Sequence, residues 1–105
     1  MPTFHHIRYA RAERFEEPEL MPFDESMLDD STVVSCPQNK FRLGFIMGDG
    51  ERTVQDEDCH FLSISTPSRE GNRPVLVLIH GGAYIAGCGG ESAYDGAALA
   101  EEGDI

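Results

Sequence analysis

The 105-residue chain is short of basic residues, with 8 lysines and arginines against 19 aspartates and glutamates, for a formal charge of −11. Such a surface repels phosphate backbones and anionic headgroups, which argues against nucleic-acid and membrane-surface partners. No apolar run approaches the roughly 18–20 residues of a membrane span. The N-terminus, Met-Pro-Thr-Phe-His-His, has no basic stretch leading into an apolar core, so no secretory signal is legible and the expected location is the cytoplasm. Cys36, Cys59 and Cys88 form no C-x-x-C pair, which removes zinc-ribbon and finger spacing, and no metal or cofactor is expected. An odd cysteine count in such a chain favours free thiols. A Gly-x-Ser-x-Gly segment is also lacking.

What is present is ordinary globular composition, 40% hydrophobic and 9% aromatic, which excludes wholesale disorder. Pro2, Pro18, Pro22 and Pro37 punctuate residues 1–40, predicting a loop-rich segment anchored by Phe4, Ile7, Tyr9 and Phe15. Residues 24–30 read as a solvated turn or short helical piece. Residues 41–105 read as strands plus one helix. Phe41 to Met47 suits a strand ending at the turn Gly48-Asp49-Gly50, and Cys59 to Thr66 a strand closed by Pro67.

The strongest segment is Val75-Leu76-Val77-Leu78-Ile79, five β-branched or leucine residues between turn signals. That pattern predicts a strand buried on both faces, as in a parallel sheet. Residues 94–102 predict a helix, with Ser92 or Asp95 as N-cap and Gly103 as the left-handed C-terminal cap. Asp104-Ile105 would then open another strand. A buried strand, a loop, a helix and the start of a returning strand make an unfinished βαβ unit, so the α/β class is expected and the chain reads as the N-terminal part of one larger domain.

The apolar strand delivers His80-Gly81-Gly82-Ala83-Tyr84 and a glycine-rich loop to Gly90. Acyl transfer builds negative charge on a carbonyl oxygen, and backbone N–H groups aimed at that oxygen lower the barrier. Consecutive glycines at a strand's end let backbone approach a substrate without side-chain obstruction. A His-Gly-Gly segment after an early strand is the donor-loop arrangement of lipases and esterases.

Gly90-Glu91-Ser92-Ala93 is a decoy for a nucleophile elbow. Tyr94 fills the last glycine position, and the preceding Ala86-Gly87-Cys88-Gly89-Gly90 is a loop where an elbow needs a buried strand. Ser92 is expected to start a helix. His80 adjoins the donor loop too closely for a triad base and is expected to brace it by a hydrogen bond.

Four blocks together resemble the type-B carboxylesterases and lipases, an α/β-hydrolase family that includes cholinesterases and p-nitrobenzyl esterases. Phe4-His5-His6-Ile7-Arg8-Tyr9-Ala10 with Arg14-Phe15 and Pro18 is similar to the family's F-x-G-I-P-Y-A…R-F-x-x-P block, His6 and Arg8 being departures. Cys36-Pro37-Gln38 matches C-P-Q. Glu57-Asp58-Cys59-His60-Phe61-Leu62-Ser63-Ile64 is similar to E-D-C-L-x-L-N-[IV]. Residues 74–82 with Tyr94-Asp95-Gly96 and Leu99-Ala100 complete the set.

The resemblance implies a serine carboxylic-ester hydrolase working through an acyl-enzyme on a small-molecule ester. In it the N–H groups of Gly82 and Ala83 serve as oxyanion donors and Gly81 shapes the turn. The serine, acid and histidine would lie beyond this chain, which is expected to be inactive alone. A non-catalytic remnant or interaction module of the same fold is the alternative. Members with both cysteines often bridge the pair matching Cys36 and Cys59, which makes these the candidate disulfide. Glu57 and Asp58 are expected in structural hydrogen bonds or ion pairs.

Overall fold

The computed structural model describes residues 3–39 and 53–105; the expected strand at 41–47 and its turn at 48–50 lie outside them. Three small ladders organise these residues. β1 (Thr3–Arg8) pairs antiparallel with β6 (Phe61–Ser65), β2 (Ala10–Arg11) antiparallel with β3 (Glu19–Leu20), and β4 (Val33–Ser35) parallel with β5 (Thr53–Gln55). The result is a mixed α/β arrangement with short strands.

The proline-punctuated stretch is not all loop. β1 runs six residues because no proline falls inside it, whereas Pro18 and Pro22 bracket β3 and hold it to two residues. In the β1–β6 ladder, Phe4 faces Ile64 and Ile7 faces Leu62, so β1 carries one extra residue in a bulge at His5-His6. The bulge frees both histidines for side-chain contacts. His5 Nδ1 lies 3.0 Å from Ser63 Oγ, and His6 stacks on Phe61 at 4.2 Å between ring centroids. His6, one of the family departures, thus fills the bulge with a packed ring.

Of the four expected anchors only Ile7 is buried, at 6% exposure; Phe15 is 99% exposed. Phe15 sits at φ 64°, in a turn that projects its ring into solvent beside Arg14. The core of the described residues is thin: Ile7, Ala10, Cys88 and Ala100, with the hydroxyl-bearing Ser35.

Val75–Ile79 departs most from expectation. It joins no ladder among the described residues and is 61–89% exposed. An all-apolar run becomes a central strand only when neighbouring strands satisfy its amides and cover its faces, and no described strand lies alongside it.

A 3-10 turn at Glu25–Asp29 occupies the expected solvated piece, with Asp24 Oδ1 accepting the Ser26 N–H at 2.8 Å. Another, Ser92–Tyr94, leads to α1 (Ala97–Gly103). The N-cap is Gly96 rather than Ser92 or Asp95; Asp95 stands one residue outside, where its Oδ1 accepts the Ala97 N–H at 3.1 Å and the Thr3 hydroxyl at 3.2 Å. That pair of bonds ties the helix start to β1. Gly103 is helical, and the left-handed cap falls on Asp104 (φ 51°, ψ 47°), whose carboxylate accepts from Arg73 Nε at 2.8 Å. Aspartate tolerates this conformation better than most residues. Ile105, expected to open a strand, instead closes the helix by donating its N–H to the Ala100 carbonyl at 3.2 Å.

Candidate active site

The glycine-rich loop begins where the apolar run ends. Gly82 has φ 140°, and Ala83 and Tyr84 follow at φ 56° and 63°, so two side chains in succession occupy the left-handed region. Each such residue costs about 1–2 kcal/mol, and strain of this kind persists only where surrounding contacts hold it. The local contacts are clear. The Gly82 carbonyl accepts from the Ile85 N–H at 3.1 Å and from the Ala86 N–H at 3.2 Å. A Cβ on Gly82 would sit 1.7 Å from the Ala86 carbonyl oxygen, so only glycine permits this closeness.

The return limb packs against the entering one. A Cβ on Gly87, at φ 110°, would meet the Gly81 carbonyl oxygen at 2.6 Å and His80 Nδ1 at 2.8 Å. His80 Nδ1 lies 2.7 Å from the Gly81 oxygen. A carbonyl only accepts, so Nδ1 carries the proton and donates. His80 braces the loop, as the sequence suggests. Tyr84 projects fully into solvent. Among the described residues the N–H groups of Gly82, Ala83 and Tyr84 donate to nothing, whereas the amides of Ile85, Ala86 and Gly87 are engaged.

Gln38 is the residue that sequence reasoning passed over. Gly87 donates its N–H to Gln38 Oε1 at 2.7 Å, and Gln38 Nε2 donates back to the Gly87 carbonyl at 3.0 Å. The same Nε2 donates to the Cys36 carbonyl at 3.0 Å, and the Gln38 backbone N–H donates to Gln55 Oε1 at 3.1 Å. β4 and β5 therefore carry a side-chain amide across to the loop. The only sequence signal was the place of Gln38 in the Cys36-Pro37-Gln38 block. Its partner lies 49 residues on, beyond any local pattern.

The parallel pair also brings the cysteines together. Cys36 and Cys59 are free thiols with Sγ atoms 3.0 Å apart. Burial, together with hydrogen bonding to Cys36, pushes the Cys59 thiol up to about 12. Cys88 is buried against β4, and its Sγ donates to the Val34 carbonyl at 3.4 Å. Burial likewise raises its pKa.

Glu57 and Asp58 are in ion pairs, Arg14 with Glu57 and Arg8 bidentate with Asp58. Arg8 also lies 4.5 Å above the Phe61 ring. The hydrogen bonds from Arg8 hold the Asp58 carboxyl below the ordinary carboxylate range. Ser92 starts the 3-10 turn, and no strand immediately precedes it, so nothing aims its hydroxyl as an elbow does. Among the described residues no cluster of His, Cys, Asp and Glu could hold a metal ion, and no helix is long and apolar enough to cross a membrane. A concavity of about 530 Å³ lined by Phe4, Glu25, Ser26, Leu28, Asp29 and Arg69 shares no residue with the glycine loop.

The model of the Carboxylesterase family matches residues 1–105. The chain belongs to the carboxylesterase family. It is 36% identical over 110 residues to the probable N-octanoylanthranilate hydrolase of Rhodococcus erythropolis, covering 98% of this chain and 24% of that protein. To the para-nitrobenzyl esterase of Bacillus subtilis it is 40% identical over 96 residues, 88% of this chain and 19% of that one. To carboxylesterase 3 of Homo sapiens it is 44% identical over 101 residues, 89% and 17% respectively. No solved structure matches it. The chain thus spans about a quarter or less of the length of these relatives.

Proposed function

We propose that the whole protein is a serine carboxylesterase of α/β-hydrolase fold that cleaves small-molecule esters through an acyl-enzyme, and that residues 81–83 supply two donors of its oxyanion hole. The reading rests on one observation: among the described residues the N–H groups of Gly82 and Ala83 donate to nothing, at the head of a turn closed by the engaged amides of residues 85–87. Family membership supports the chemistry.

In this reading the ester carbonyl seats its oxygen against these two amides. As a serine hydroxyl supplied outside this chain attacks, the oxygen gains charge and the two bonds strengthen. They therefore favour the tetrahedral intermediate over the bound ester. Gly81 shapes the approach and His80 fixes its carbonyl away from the oxygen's path. Neither His80 nor Ser92 transfers a proton or attacks.

Hydrolysis of p-nitrophenyl acetate by the whole protein tests this. A burst of p-nitrophenol followed by steady turnover, retained in Ser92→Ala, is expected. A burst that vanishes in Ser92→Ala would overturn the assignment of the nucleophile to another segment. The absence of any turnover would favour a non-catalytic member of the family.

A further inference from the structure

We propose that Gln38 is a positioning residue for the oxyanion loop, acting as an amide clamp that fixes Gly87 and, through it, the amides of Gly82 and Ala83; this rests on the esterase reading above. The left-handed pair Ala83-Tyr84 is not held by its own hydrogen bonds. The bonds to the Gly82 carbonyl close only the turn from 82 to 86, and the turn must still be set against something. Gly87 provides that support because it packs directly on His80 and the Gly81 carbonyl. What holds Gly87 is Gln38, which occupies both polar groups of its peptide backbone at 2.7 and 3.0 Å.

A carboxamide suits this position because it both accepts and donates in one plane. Its free rotation is limited by the second bond from Nε2 to the Cys36 carbonyl and by the bond from its own N–H to Gln55. The clamp is therefore anchored on the β4–β5 pair and reaches the loop without touching substrate.

The replacement Gln38→Glu separates the two halves of the clamp. A carboxylate still accepts the Gly87 N–H but cannot donate, and it sits beside the carbonyls of Gly87 and Cys36. Protonation restores a donor. In the whole protein, Gln38→Glu is expected to lower kcat for p-nitrophenyl acetate by about 10- to 100-fold at pH 8, with KM changed less than about twofold, because misplaced donors weaken transition-state contacts more than ground-state ones. The kcat ratio of variant to wild type should then recover on acidification toward the carboxyl's titration. Gln38→Ala should show the same loss with no recovery, and amide hydrogen exchange at Gly87 should quicken in Gln38→Ala, which removes its acceptor.

Equal kcat in wild type and Gln38→Ala, with Gly87 exchange accelerated, overturns the positioning role while leaving the esterase reading intact. Unchanged Gly87 exchange in Gln38→Ala overturns the clamp itself, whatever the activity. A loss in Gln38→Glu that falls on KM, or that ignores pH, also overturns it. A wild type without turnover overturns both readings together.

Discussion

Replacing Gly82 by alanine puts the oxyanion role proposed for residues 81–83 to its sharpest test. The added Cβ would lie 1.7 Å from the Ala86 carbonyl oxygen, 2.7 Å from its carbon and 3.5 Å from the Gly87 nitrogen. These are backbone atoms, so no rotamer change relieves the overlap. Relief requires opening the turn, which gives up the two hydrogen bonds to the Gly82 carbonyl at about 0.5–1.5 kcal/mol each. Keeping φ near 140° with a side chain adds roughly 1–3 kcal/mol. The local cost is therefore of order several kcal/mol, enough to displace the loop. Global stability should fall far less, because the turn covers little apolar surface and Tyr84 and Ile85 are exposed. If the amides of Gly82 and Ala83 stabilise the oxyanion, displacing one donor costs about 100- to 1,000-fold in kcat. Stopped-flow acylation by p-nitrophenyl acetate reads that rate, and a thermal melt shows that the fold survives. Ala83→Gly is the control: glycine relieves the left-handed strain at φ 56° and keeps the N–H, so acylation should stay within about threefold. A Gly82→Ala protein that acylates within about threefold of wild type would refute the reasoning.

Two further outcomes follow from the cysteines and the charged pairs. Cys36 is exposed, whereas Cys59 is half-buried with its thiol pushed up to about 12, so N-ethylmaleimide should modify Cys36 well before Cys59, with Cys88 reacting only after unfolding. Peptide mapping decides the order, and mild oxidation should cross-link Cys36 to Cys59; equal labelling of the two, or no cross-link, counts against the pairing at 3.0 Å. Because Arg8 lowers the Asp58 carboxyl, their pair stabilises the fold fully above the ordinary carboxylate value of 3.8, and that contribution is lost as pH falls through the lowered value. Both side chains are partly solvated, so a double-mutant cycle with Arg8→Met and Asp58→Asn should give only about 1 kcal/mol at pH 7. The coupling should weaken as pH is taken down through the lowered carboxyl value; a coupling that acid does not diminish at all would contradict the ion pair.

What the sequence made legible was mostly local. The acidic pair Glu57-Asp58 pointed to ion pairing, yet its partners Arg14 and Arg8 stand 43 and 50 residues away, and no spacing names them. The helix expected at 94–102 was readable from its alanines, but it starts only at Ala97, after the 3-10 turn at Ser92–Tyr94, and its left-handed cap falls one residue late, on Asp104, whose carboxylate Arg73 holds. Phe15 read as an anchor from its chemistry alone, and its positive φ turned it outward. Val75–Ile79 shows the limit most clearly. Periodicity reports what a segment can bury, whereas burial itself needs neighbours, and among the described residues none flanks it.

The loop repeats that lesson at the level of chemistry. His80-Gly81-Gly82-Ala83 tells which amides can be bare, because glycines and an alanine leave the approach open. It does not tell what keeps them bare. Two adjacent non-glycine residues at positive φ would relax if the backbone were free. The loop's own bonds fix its curvature only. Its orientation comes from Gly87, which has no room for a side chain because the end of the entering apolar run presses on it, and which is gripped on both sides by the Gln38 amide, anchored on β5 through Gln55. Bare donors at the tip thus depend on saturated ones at the base, and the residue that saturates them lies in a different part of the chain.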